Sequence, residues 1–265
     1  MTHIVSNDVA DAVEVLARDV FAHLVTLKML ALYRDACSVA VYRGADGWAI
    51  RTEVAAARVP WDRSAYPGVT TVTLIDGTDR AVMRRAADET PDGPTVFKIH
   101  DPDLVRRFDA SARFRWVRSF VSYTTPSAPC TPPEPPAASV ERHRDYQDEA
   151  LSHFVANGYT ETEIREHLRR GGVWFGVRRE GRLAAVCIAF PNYGDVWEIG
   201  GVHTVSGQRR RGLARAVVCA AIGDLVRDGR RPRYQFRHDN DPSRALAESV
   251  GLIPTLTVAH YLRDK

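Results

Sequence analysis

Gln208-Arg209-Arg210-Arg211-Gly212-Leu213-Ala214 decides how this chain is read. A β-rich segment with turn residues, Val196 to Gly207, precedes it, and a helical pattern from Ala214 to Arg227 follows. A glycine among basic and small residues at a strand-to-helix turn lets backbone N–H groups approach an anion. The positive end of the helix dipole favours the charge that binds there. Arginines add charge-assisted contacts, so the run reads as a pyrophosphate cradle. A solvated helix start and a nucleic-acid patch are the competing readings. The patch is disfavoured because no aromatic platform accompanies the three arginines.

The downstream sequence agrees with a cradle. Arg233-Tyr234-Gln235-Phe236-Arg237 reads as a strand. Asn240-Asp241-Pro242-Ser243 reads as a helix start, with Asn240 or Asp241 as N-cap and Pro242 at the first helical position. A short helix then runs to Val250, Gly251 closes it, and Leu252 to Leu262 supplies one or two closing strands.

In these residues the chain resembles the GCN5-related N-acetyltransferase (GNAT) superfamily. The family's signature Arg/Gln-x-x-Gly-x-Gly/Ala is matched by Arg209-Arg210-Arg211-Gly212-Leu213-Ala214. Thr204 fits the position five residues earlier, whereas Ser206 stands where many members carry proline. Asn240 to Ser243 and Gly251-Leu252 match the later Asn-x-x-Ser and Gly-Phe elements. The resemblance spans roughly residues 140–265. It implies an α/β (α+β) fold with a mixed, mostly antiparallel sheet and flanking helices. It also implies acetyl-CoA as acyl donor, no metal, and a small-molecule or peptide amine as acceptor.

Composition is compatible with this. The chain has 265 residues, 45% of them hydrophobic, and a net charge of +3, too small to argue for a nucleic-acid partner. No apolar run approaches the ~20 residues of a bilayer span, and acidic residues among the first twenty argue against a signal peptide. The expectation is a cytoplasmic protein without a membrane role; a homodimer is admitted but not selected. Cys37, Cys130, Cys187 and Cys219 lack CxxC spacing and read as reduced thiols rather than a disulfide frame or metal site.

Residues 126–137 hold six of the fifteen prolines, which marks 126–139 as a linker between an N-terminal unit, 1–125, and a C-terminal unit, 140–265. The N-terminal unit shows helices within 8–32, a hairpin around 44–47, strands at 69–75, 95–99 and 114–123, and a helix over 79–87. It has no Arg-x-x-Gly-x-Ala loop. The arrangement is similar to two-part members of the glycine N-acyltransferase group, with a degenerate GNAT-like first half.

In the C-terminal unit, Arg144 to Asn157 and Thr160 to Arg170 read as helices, the second opened by a Thr160/Glu163 capping box. Val173 to Val177 and Leu183 to Phe190 read as a hairpin. By resemblance, the strand Trp197 to Thr204 splays from its neighbour at a bulge. Backbone groups of Val202, His203 and Thr204 would then pair with the pantetheine arm, and Gly200-Gly201 suits such a bulge. Arg209, Arg210, Arg211, Gly212, Leu213 and Ala214 would hold the diphosphate. Asn240 and Ser243 read equally as helix cap or cofactor contacts.

Glu198 is the expected base by resemblance; its competing reading is an ion pair with a nearby arginine, and His203 is the alternative base. By resemblance, the tyrosine that commonly protonates the departing thiolate is replaced by Ala247, so Tyr261, Tyr234 or solvent would substitute. Trp174, Trp197 and Tyr193 read as core or rim, and Pro191 to Asp195 as a turn beside the substrate mouth. The open alternative to an enzyme is a non-catalytic acyl-CoA-binding regulator.

Overall fold

The computed structural model describes residues 3–126 and 139–263, with residues 3–5 described by their backbone alone. Two compact units divide it: Met1–Phe120 with Leu256–Lys265, and Val121–Thr255. The sequence reading assigned all of 140–265 to one unit; the structure gives residues from Leu256 onward to the other. The expected proline-rich linker, with Cys130, lies almost wholly within 127–138, outside the described residues.

In the first unit the order is β1 (His3–Ser6), α1 (Val9–Leu16), α2 (Leu24–Leu32), β2 (Cys37–Arg43), β3 (Trp48–Ala55), α3 (Pro60–Ala65), β4 (Thr71–Gly77), α4 (Arg80–Asp88), β5 (Thr95–Ile99), α5 (Pro102–Asp109) and β6 (Arg115–Thr124). Residues 121–124 of β6 fall in the second unit. That unit continues with β7 (Glu141–His143), α6 (Asp148–Ala156), α7 (Glu161–Arg169), β8 (Val173–Arg179), β9 (Arg182–Tyr193), β10 (Val196–Thr204), α8 (Leu213–Arg227), β11 (Arg231–Arg237), α9 (Asp241–Ser249) and β12 (Ile253–Arg263). The closing segment is therefore one strand, and it crosses the unit boundary.

The two units repeat one topology. Strand order is β1-β2-β3-β4-β5-β12 in the first and β7-β8-β9-β10-β11-β6 in the second. In each, one pair, β4 with β5 and β10 with β11, is parallel, and the hairpin pairs before it are antiparallel. Both parallel crossovers contain a helix, α4 or α8, as parallel pairing requires. This is the mixed, mostly antiparallel sheet expected, and it occurs twice.

Alternation along β8 shows how the second sheet is covered. Val173, Phe175 and Val177 pack with α8 residues Ala216, Val217 and Ile222, while Trp174 joins Phe154, Ile164 and Ile188 on the α6–α7 side. Burying each such aliphatic or aromatic side chain contributes about 1.5–3 kcal/mol. Local signals fall where expected. The Thr160/Glu163 capping box is formed in both directions. Glu180 and Gly181 take positive φ (52° and 78°) in the two-residue turn between β8 and β9. Gly251, at φ 79°, ends α9 with its own N–H on Glu248 and that of Leu252 on Ala247.

Candidate active site

The Arg-Gly turn has the backbone an anion site needs. Arg210 and Gly212 both take left-handed φ, 62° and 75°. Gly212 is the N-cap of α8, and it provides no side-chain oxygen for the helix start. The first helical bond runs from Ala216 N–H to Gly212 C=O, so the amides of Leu213, Ala214 and Arg215 have no intrahelical acceptor. Arg209, Arg210, Arg211 and Gly212 are exposed around those amides, and a Cβ at Gly212 would enter open space. Glycine is required there by its φ, not by packing. Leu213 is buried in the core beneath the turn and fixes its depth.

The first unit closes the same place. After β4 the chain enters α4 at once, and Asp79 caps that helix by accepting from the Ala81 and Val82 amides. A carboxylate thus occupies the position where an anion would bind, so of the two helix starts only that of α8 offers open amides.

Beside the turn, the parallel strands part. β10 pairs with β11 from Val196–Arg231 to Ile199–Tyr234 and no farther, although both strands continue. On its other edge β10 stays paired with β9, with a bulge between Gly200 and His203, after which His203 and Thr204 sit opposite Val186 and Ala185. Gly201 and Val202 lie within the bulge, together opposite Cys187. Gly201 holds φ 59°, and a Cβ there would lie 2.8 Å from the Phe154 ring. The predicted splay is therefore present, with Val202, His203 and Thr204 beyond the last β11 pair. One carbonyl of this set is taken: the Arg209 Nε–H donates to Thr204 O at 3.2 Å.

Glu198 stands on β10 just before the splay, held by two donors. Arg233 Nη1 and Asn192 Nδ2 both reach Glu198 Oε2, at 2.7 and 2.6 Å. Arg233 is itself buried, and its Nε donates to Ser122 Oγ at 3.1 Å. The arginine-paired reading of Glu198 is thus the geometry observed. Sequence reasoning did not select Arg233 or Asn192, because they lie in separate strands and meet Glu198 only through the β9–β10–β11 register.

Tyr159 was also missed. The loop between α6 and α7 brings its hydroxyl to β10, where it fills the space a Cβ on Gly200 would take. Burial and the negative charges of Glu198 and Glu163 push its phenol well above the ordinary range, while a hydrogen bond with the Gly201 backbone opposes the shift. The only sequence signal was a tyrosine just before a capping box. Adding a methyl at Gly200 must displace this hydroxyl, so Gly200→Ala is expected to lower stability by about 1–3 kcal/mol. Tyr159→Phe in the same chain should restore part of that loss in urea unfolding. Equal stability of Gly200→Ala and wild type would contradict the contact.

The remaining predicted residues separate clearly. His203 Nδ1 meets His153 Nδ1 at 3.0 Å, an arrangement that needs one donor and one acceptor ring. Burial holds both imidazoles below the ordinary range, aided at His203 by the Arg209 charge and at His153 by His203. Asn240 is the N-cap of α9, accepting from the Ser243 amide at 3.1 Å. Ser243 Oγ accepts from Tyr234, whose phenol burial raises to about 12. Tyr261 is not brought to this site: it belongs to the first unit, packs in that unit's core, and donates to Asp109 Oδ1 at 2.7 Å. Its assignment as general acid is therefore withdrawn, since its register on β12 against Phe97 fixes it there. Trp174 and Trp197 are buried, as their core reading expected.

Comparison with known proteins agrees with the fold. Residues 134–252 match the family model described as acetyltransferase (GNAT) family. No curated protein matches the sequence. Among solved structures, the chain is similar to a GCN5-related N-acetyltransferase from Kribbella flavida, with 16% identity and TM-score 0.58, covering 92% of this chain and 96% of that one. It is also similar to a Drosophila protein, with 12% identity and TM-score 0.61, covering 96% and 95%. A tandem GNAT protein from the clavulanic acid biosynthesis pathway shares 14% identity at TM-score 0.55 and covers 96% and 94%. No helix among the described residues is long and apolar enough to cross a membrane. Segment 134–252 of this chain is a domain of the acetyltransferase (GNAT) family.

Proposed function

We propose that the second unit transfers an acetyl group from acetyl-CoA to an amine by direct attack on the thioester. The observation that carries this reading is the splay of β10 from β11 beside a helix start with open amides and three exposed arginines. Arg209 to Ala214 would hold the diphosphate, and the free β10 edge from Val202 to Thr204 would pair with pantetheine as an added strand does. In the reaction the amine nitrogen bonds to the carbonyl carbon and the C–S bond breaks. The amine gives up a proton and the thiolate takes one. A backbone amide at the bulge suits the developing oxyanion. Glu198, two residues before Gly200 on β10, is the proposed acceptor of the amine proton. Tyr234, not Tyr261, is the proposed source of the thiolate's proton.

A second reading, a non-catalytic acyl-CoA-binding protein, is favoured by one feature: Glu198 Oε2 already accepts from both Arg233 and Asn192. Thiol release from acetyl-CoA over a panel of amines separates the two. On the enzymatic reading, Glu198→Gln should lower kcat by about 10²–10⁴, the usual weight of general-base assistance, and leave coenzyme A affinity unchanged. Coenzyme A binding without turnover on any amine would establish the binder.

A further inference from the structure

The parallel pair of the first unit also has a built carboxyl end, but with different chemistry. The β4–β5 register runs from Thr71–Thr95 to Leu74–Lys98. Extended by two residues, it sets Asp76 opposite His100 on the face that Leu74 and Lys98 share. His23, at the start of α2, completes the group. Its Nδ1 lies 2.8 Å from Asp76 Oδ1, and His100 Nε2 lies 3.0 Å from the same oxygen. Here the second unit has its splay, with Tyr159 reaching in from just ahead of α7 as His23 does from the start of α2. Ligand sites of α/β sheets favour the carboxyl ends of parallel strands.

We infer that His23, Asp76 and His100 form a binding site for one divalent transition-metal ion of the zinc class. One ligand atom from each residue lies within 4.8 Å of the other two. In a tetrahedral site, bonds of about 2.0–2.2 Å place neighbouring ligands about 3.3–3.6 Å apart, so the two Asp76 contacts would each open by about half an ångström to admit the ion. The outer contacts suit this role. Thr26 Oγ1 donates to Asp76 Oδ2 at 2.6 Å and fixes the carboxylate, and the Trp48 ring lies 5.6 Å from that of His23. A cavity of about 10 Å³ borders the three residues, room for a single water as a fourth ligand. Lys98 also lines that cavity, but its ammonium is paired with Asp62 at 2.8 Å.

Charge is compatible with the same reading. Asp76 is 1% exposed at its side chain, and two neutral imidazoles would leave its charge uncompensated. A proton on one imidazole or a bound dication would each balance it. The sequence reading considered metal sites only through cysteine spacing, and these three residues are 53 and 24 positions apart.

The test uses the full chain, stripped with a chelator and titrated with Co²⁺ or Zn²⁺. About one ion per chain should survive desalting, Co²⁺ should show the ligand-field absorption of a histidine-carboxylate site, and Zn²⁺ should raise Tm. His100→Ala, at a partly exposed position, and Asp76→Asn should each weaken Co²⁺ binding at least about tenfold. Circular dichroism checks that each variant is folded. Absence of a retained ion and of any Tm change in the wild type overturns the inference, as does undiminished binding in folded His100→Ala. Coenzyme A binding is read separately, so its outcome does not enter.

Discussion

Replacing Arg211 and Gly212 together by glutamate is expected to weaken coenzyme A binding by at least about 100-fold. The wild-type turn offers exposed arginines and helix-start amides that lack intrahelical acceptors. A charge-assisted hydrogen bond contributes about 1.5–3 kcal/mol, and each 1.4 kcal/mol is a factor of ten in affinity. Removing two such hydrogen bonds accounts for the figure before any repulsion is counted. A glutamate at 212 would also place a side chain at φ 75° and a negative charge beside the phosphates. A Cβ at that position meets open space, so no clash is added, but the strain of φ 75° remains, and circular dichroism must show both proteins folded before affinities are compared. Isothermal titration of both proteins with coenzyme A decides it. Equal affinities in two folded samples would remove the cradle and, with it, the transferase reading.

Arg233→Met is expected to cost about 3–5 kcal/mol of stability, the usual effect of stranding one partner of a buried ion pair. The Arg233 and Glu198 side chains are 3% and 14% exposed, so solvent replaces little of the lost interaction. Ser122 loses its donor as well. The double variant Arg233→Met/Glu198→Gln removes the stranded charge and should recover part of the loss. Urea unfolding monitored by fluorescence gives both values. A loss under about 1 kcal/mol for Arg233→Met, with no recovery in the double variant, would show that Glu198 does not depend on Arg233.

Particular residues show how much could be read from the sequence. The capping box at Thr160, the Asn240 cap and the Gly251 helix end each depend on residues within a few positions, and all three form. The Glu180-Gly181 hairpin is equally local. The site divides along the same line. Gly212 and its arginines lie together in sequence, so the turn is legible. Glu198 was chosen through resemblance, but its partners Arg233 and Asn192 are set by strand register, which no local pattern contains. Tyr261 was misplaced for a related reason. The resemblance and the proline-rich boundary put all of 140–265 in one unit, whereas β12 pairs with β5 in the other.

By itself the sequence determined where chain direction changes and which backbone amides face outward at the α8 start. Those outcomes are set by φ preferences, side-chain caps and periodicity over neighbouring residues. Tertiary structure alone decided the Glu198–Arg233 pair, the Tyr159 hydroxyl over Gly200, and the His23–Asp76–His100 group. Each joins residues from different strands and helices through a register and a layer packing. The free energy of that arrangement belongs to the whole unit, so no single segment encodes it.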